Sequence, residues 1–103
     1  MVTAIEVLAE PHRRRILDLL RDGEKSVGEL VTGLGLTQPA VSKHLRVLRD
    51  AGLVEVTPSA QRRLYRLRLE PLAELDAWLA PYRTLWNASL DKLARHLEEK
   101  ESR

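Results

Sequence analysis

Residues 37–52 read Thr37-Gln38-Pro39-Ala40-Val41-Ser42-Lys43-His44-Leu45-Arg46-Val47-Leu48-Arg49-Asp50-Ala51-Gly52. The stretch has the marks of one amphipathic helix. The Thr37 hydroxyl can cap its first turn, and a proline at position 39 costs nothing where the amide would have no partner. Val41, Leu45 and Leu48 fall four and three residues apart, a narrow buried stripe, and Gly52 terminates the element. At about 100° per residue, Pro39, Lys43, Arg46 and Asp50 point away from that stripe. Gln38, Ser42 and Arg49 flank it on one side, Ala40 and Val47 on the other. The outer face of the N-terminal half thus presents an amide suited to adenine. It also has a small Ser and Ala that permit close approach, and cations suited to guanine or phosphate.

Upstream, Ser26-Val27-Gly28-Glu29 has the form of a capping box. Val27, Leu30, Val31 and Leu34 follow at the spacing of one helical face, and Gly33 and Gly35 are read as breaking that helix. Farther upstream, Val2 to Leu8 forms a short first helix. Pro11 opens a second, in which Ile16, Leu17 and Leu20 share a face and which Gly23 ends. Downstream of Gly52 the period changes to two. Val54 and Val56 alternate with Glu55 and Thr57; Pro58-Ser59-Ala60-Gln61 is a polar turn; Tyr65, Leu67 and Leu69 alternate with Arg66 and Arg68. Two strands with a short tip make a hairpin.

Helix, glycine turn, helix, then hairpin is the order of a winged helix-turn-helix. The expected fold is mainly α (α+β), a single domain over 1–103. The helix-turn-helix spans about 26–51, a two-stranded wing about 53–69 and a long C-terminal helix about 71–100. The second helix of the motif would enter the major groove and the wing would reach phosphates or a minor groove. The DNA-contacting set is then Thr37, Gln38, Pro39, Ala40, Ser42, Lys43, His44 and Arg46 from the helix, with Gln61, Arg62 and Arg63 from the wing. Arg66 and Arg68 fit equally well the role of solvating a strand edge. His44 lies near the core edge, where a structural hydrogen bond comes first and a phosphate contact second; His12 reads as surface.

Charge is distributed accordingly. The net +2 of the 103 residues hides a split: residues 37–69 carry seven cations against two carboxylates, residues 70–103 five against seven. A polyanion-binding segment is followed by one with another task. The chain has no cysteine, which excludes disulfides, thiolate metal sites and thiol nucleophiles. No apolar run nears the ~20 residues of a membrane span, and no secretion signal opens the chain, so a cytoplasmic protein is expected. Catalysis is not expected either. Ser42 and His44 stand two apart on a helix and cannot face each other, and no carboxylate pair or phosphate loop completes a site.

From Pro71 onward, Leu72, Leu75, Leu79, Tyr82, Trp86, Leu90, Leu93 and Leu97 recur at three- and four-residue steps, joined by Trp78 and Leu85. About 28 residues make a helix near 42 Å long, too much apolar surface for one small domain to cover. The expected solution is pairing with a second copy. Ile5, Leu8, Leu75, Trp78, Leu79, Tyr82, Leu85, Trp86, Leu90 and Leu93 would form that interface, with a kink or break near Pro81. A dimer cavity lined by Trp78, Tyr82 and Trp86 would suit a small apolar effector, although interface packing alone accounts for the same rings.

Three stretches carry a family resemblance. They are Glu10-Pro11-His12-Arg13-Arg14-Arg15-Ile16-Leu17, then Gln38 through Leu48, then Ala51-Gly52-Leu53-Val54. Together they resemble the ArsR family of bacterial repressors, and Trp78 through Asp91 is similar to a metal-independent branch of it. The resemblance implies a homodimer, an inverted-repeat operator in double-stranded DNA, and repression of a nearby promoter. Many members sense metals through cysteines in the first helix of the motif, which Glu29-Leu30-Val31-Thr32-Gly33 lacks. Others use a C-terminal set of which only His96 and Glu99 are present, too few for tetrahedral binding; neither a metal nor another cofactor is expected. The chain also departs from the family at the wing tip, with Ala60 where glycine and Pro58 where a basic residue is usual. His12 stands where a small polar residue is commoner. The alternative reading, a winged helix that contacts protein or RNA, needs no cationic second helix.

Overall fold

The computed structural model describes residues 4–101, and its helix boundaries follow from local chemistry. Helix α1 spans Ala4–Leu8; Val2 and Thr3, expected in this helix, lie outside the described residues. Helix α2 (Pro11–Leu20) starts where the Glu10 carboxylate accepts the Arg13 amide at 3.0 Å, with Pro11 in the first turn. Strand β1 (Lys25–Ser26) leads directly into α3 (Val27–Leu34). The capping box is formed in both directions: the Glu29 amide donates to the Ser26 hydroxyl, and the Ser26 amide donates to the Glu29 carboxylate, each at 3.2 Å. Helix α4 (Gln38–Asp50) is capped by Thr37, whose hydroxyl oxygen accepts the Ala40 amide at 3.3 Å.

The two glycines at the C-terminal end of α3 have different work. Gly35 occupies the left-handed region at φ 67° as the C-cap, a conformation that costs other residues about 1–2 kcal/mol. Gly33, expected to break the helix, lies inside it. A Cβ at that position would stand 2.9 Å from Leu19 Cδ1, so the Leu19 side chain of α2 packs directly over the bare glycine.

Strands β2 (Val54–Ser59) and β3 (Arg62–Leu67) form the hairpin, with Val56 opposite Tyr65 and Ser59 opposite Arg62. The expected two-stranded wing is a three-stranded antiparallel sheet in the order β1-β3-β2, because Lys25 pairs with Tyr65 and Ser26 with Leu64. Pro58 sits on the edge strand β2, where the missing donor is harmless. Leu69 falls beyond β3 and is 65% exposed. The core joins Val7, Ile16, Leu20, Leu30, Val41, Leu45, Leu48, Leu53 and Val54, all at most 3% exposed. Truncating any of the large ones to alanine costs about 2–5 kcal/mol.

By internal contacts the chain divides into two units, Met1–Ala73 and Glu74–Arg103. The first contains the elements above and the opening residues of α5 (Glu70–Glu101); the second is the remainder of that helix. Of the kink or break expected near Pro81, the break is absent: α5 runs unbroken through the proline. Pro81 withholds the hydrogen bond its amide would have made, and the Arg83 guanidinium braces the turn before it by donating to the Asp76 carbonyl at 3.1 Å and to its carboxylate. No residue of α5 is buried. Trp78, Tyr82, Leu85, Trp86, Leu90, Leu93 and Leu97 are all between 44% and 64% exposed.

Candidate nucleic-acid interface

The buried stripe of α4 fixes which residues face outward. Val41, Leu45 and Leu48 are at most 1% exposed, and Gln38, Pro39, Ser42, Lys43, Arg46 and Arg49 lie exposed around the rest of the helix. Thr37 is exposed at the cap, and Ala40 is half-buried beside it.

Strand alternation decides where the wing arginines go. Successive side chains of β3 point to opposite faces, and Tyr65, 9% exposed, sets the inner one. Arg63 shares that face. Arg62 and Arg66 take the other: Arg62 stands 3.9 Å from the Glu29 carboxylate, and Arg66 pairs with Glu55 across the strands. Arg68 lies 3.7 Å from Glu70. The neighbours Arg62 and Arg63, alike in the sequence, are thus separated by the pleat. Gln61 is exposed at the tip beside Ala60, which takes a positive φ of 54°.

Between α4 and the inner face of the hairpin runs a cleft of about 650 Å³. Gln38, Ser42, Arg46, Arg49 and Arg63 line it, with Leu45 and Tyr65 also on its walls and Asp50 as its one acid. It brings together four of the expected contact residues, from two elements, and adds Arg49, which faces the same way. Three guanidiniums against one carboxylate favour a polyanion. The carboxamide and hydroxyl beside them supply the neutral donors and acceptors that read base edges.

Lys43 and the tip residues Gln61 and Arg62 lie outside this cleft. His44 turns away from it toward α2, where Arg13 Nε donates to its Nδ1 at 3.4 Å and the His12 ring stacks on it at 5.7 Å. Burial pushes the His44 pKa below its ordinary value, and the nearby Arg13, His12 and Lys43 act in the same sense against the pull of Glu10. For Glu10, burial acts upward, but hydrogen bonds from the His12 ring and the Arg13 amide prevail and hold the carboxyl below its usual range. This gathering of Glu10, His12 and His44 had no signal in the sequence, since it joins the start of α2 to the middle of α4.

A basic helix face beside a basic hairpin is the architecture, and the comparisons with known proteins agree with it. Residues 10–56 match the family model described as bacterial regulatory protein, arsR family. The chain is 38% identical over 95 residues to the HTH-type transcriptional regulator Rv2034 of Mycobacterium tuberculosis, covering 92% of this chain and 86% of that one. The chain belongs to the arsR family. This ArsR-family protein is also 41% identical over 71 residues to the biofilm growth-associated repressor of Agrobacterium fabrum, covering 69% of this chain and 61% of the repressor. Among solved structures, the ArsR family transcriptional regulator RHA00566 superposes with a TM-score of 0.70 at 31% identity, over 81% of this chain and 86% of that one. The chain is therefore a DNA-binding transcriptional regulator of winged-helix fold. No described helix is long and apolar enough to cross a membrane.

Proposed function

We propose that the protein is a cytoplasmic homodimeric repressor that recognises an inverted repeat in double-stranded DNA. The observation that carries this reading is the cleft where Gln38, Ser42, Arg46 and Arg49 of α4 meet Arg63 of the wing. A helix entering the major groove from its N-terminal end brings Gln38 and Ser42 to base edges, with Thr37, Pro39 and Ala40 allowing close approach. Lys43, Arg46, Gln61, Arg62 and Arg63 then meet phosphates on either side. Repression is the activity named for the Agrobacterium fabrum relative.

Pairing is supported by α5. Seven large apolar side chains are about half exposed along one helix, and a second copy offers the same stripe to cover them. Ile5, 49% exposed, and half-buried Leu8, Leu75 and Leu79 are the other apolar side chains assigned to the pairing. The Trp78 and Tyr82 rings lie 5.0 Å apart; with Trp86 they would line any cavity enclosed on pairing, where an apolar effector would act.

The test is selection of random duplex DNA on the purified protein at two salt concentrations, with sedimentation of the free protein alongside. An enriched inverted repeat, half-sites about 34–36 Å apart or a multiple of it, with affinity falling steeply with salt, is expected from a dimer. A monomer, or no enrichment at either salt concentration, would refute the reading and favour a protein or RNA partner.

A further inference from the structure

We propose that Glu10, His12 and His44 form a binding site for one divalent cation of the zinc type, independent of the DNA-reading cleft. Their ligand atoms all lie within 4.8 Å of one another, and the three side chains come from two elements, the cap and first turn of α2 and the centre of α4. Two imidazoles and a carboxylate make a borderline-soft donor set suited to Zn²⁺, with water in the fourth position of a tetrahedron.

The present contacts show how a cation fits. His44 Nδ1 accepts from Arg13 Nε at 3.4 Å and stands 3.8 Å from Glu10 Oε2. That gap is close to the separation of about 3.4 Å that neighbouring ligands take around zinc, once Arg13 has left Nδ1. His12 Nδ1 lies 2.9 Å from the other carboxylate oxygen, Oε1, so the third donor already stands beside the carboxylate. The His12 side chain is 41% exposed, which gives the ion an entry path and the ring room to move. The opposing charges are Arg13 and, more remotely, Lys43. Arg13 also donates to the Val7 carbonyl at 3.4 Å, so it can yield Nδ1 to the metal without losing its last partner. An ion here ties the first turn of α2 to the helix that reads DNA.

The experiment is titration of the chelator-stripped full-length protein with Zn²⁺ against a chromophoric chelator, with Co²⁺ absorption reporting tetrahedral geometry and thermal unfolding followed in parallel. One ion per chain and a rise in melting temperature are expected. His12→Asn and Glu10→Gln should each weaken binding by at least about tenfold, the usual scale for disturbing a metal shell, and Arg13→Gln should tighten it. His96→Ala, on α5, should leave it unchanged. Absence of binding, binding that survives both His12→Asn and Glu10→Gln, or binding lost with His96→Ala would each overturn the assignment. Both weakening variants alter partly exposed side chains, and circular dichroism of each metal-free variant separates lost binding from lost fold.

Discussion

The strain at the wing tip has a sign that two glycine substitutions can isolate. Ala60 is the first of two residues joining the paired Ser59 and Arg62, and its φ is 54°. Both of the tight turns that suit a hairpin require a positive φ there, hence their preference for glycine or asparagine. An L-residue pays about 1–2 kcal/mol in that region, and glycine escapes the cost but gives back about 0.4–1 kcal/mol through its freer unfolded chain. Ala60→Gly should therefore stabilise the protein by about 0.8 kcal/mol. Gln61 has no positive φ, so Gln61→Gly relieves nothing and should cost about 0.4–1 kcal/mol. The two variants should lie about 1.5 kcal/mol apart, on opposite sides of the wild type. Urea unfolding followed by far-ultraviolet circular dichroism at one protein concentration reads this as midpoints separated by roughly 0.5–1.5 M. If both substitutions shift the midpoint in the same direction, or Ala60→Gly lowers it, the tip carries no such strain.

Arg63→Ala should weaken binding to operator and random duplex alike and reduce the slope of log affinity against log salt by about one. Gln38→Ala should instead relax the preference at one base pair of each half-site, at a cost of about 1–3 kcal/mol on the operator; competition binding on substituted duplexes distinguishes the two. Ser26→Ala removes the cap of α3 and should cost about 1 kcal/mol in urea unfolding. The Ser26 amide and hydroxyl, with Lys25 and Arg62 nearby, hold the Glu29 carboxyl below its ordinary 4.5. Its contribution to stability is thus present above that pH and is lost as pH falls through the lower folded value. Glu29→Gln should flatten this acid limb, and an unchanged pH profile would refute the linkage.

What was legible in the sequence was what nearest neighbours decide. Ser26 with Glu29, Thr37 with Ala40, and the Val41-Leu45-Leu48 stripe are all set within one or two helical turns, and each can be read from spacing. Strand β1 could not be read that way. Two residues have no period, and Lys25 and Ser26 become a strand only because Tyr65 and Leu64 offer them an edge. Gly33 reads as a breaker by itself, yet its role comes from Leu19 on another helix. Of the candidate site, the α4 face follows from periodicity, whereas the pairing of Arg63 with that face depends on how the hairpin docks. The Glu10–His44 approach likewise belongs to the packing of α2 against α4.

The short pairing of β1 with β3 has a bearing on how such a regulator can change over time. Lys25 and Ser26 pin Tyr65 and Leu64 midway along the hairpin, between the Val54–Leu67 pair at its base and the turn at Ala60. Residues gained or lost at the tip would be absorbed there, leaving the pairing of Leu64 and Tyr65 with β1 untouched. The length of the hairpin is therefore adjustable without moving its anchored middle, and on the proposed mode of binding wing length and sequence preference are free to drift as separate traits.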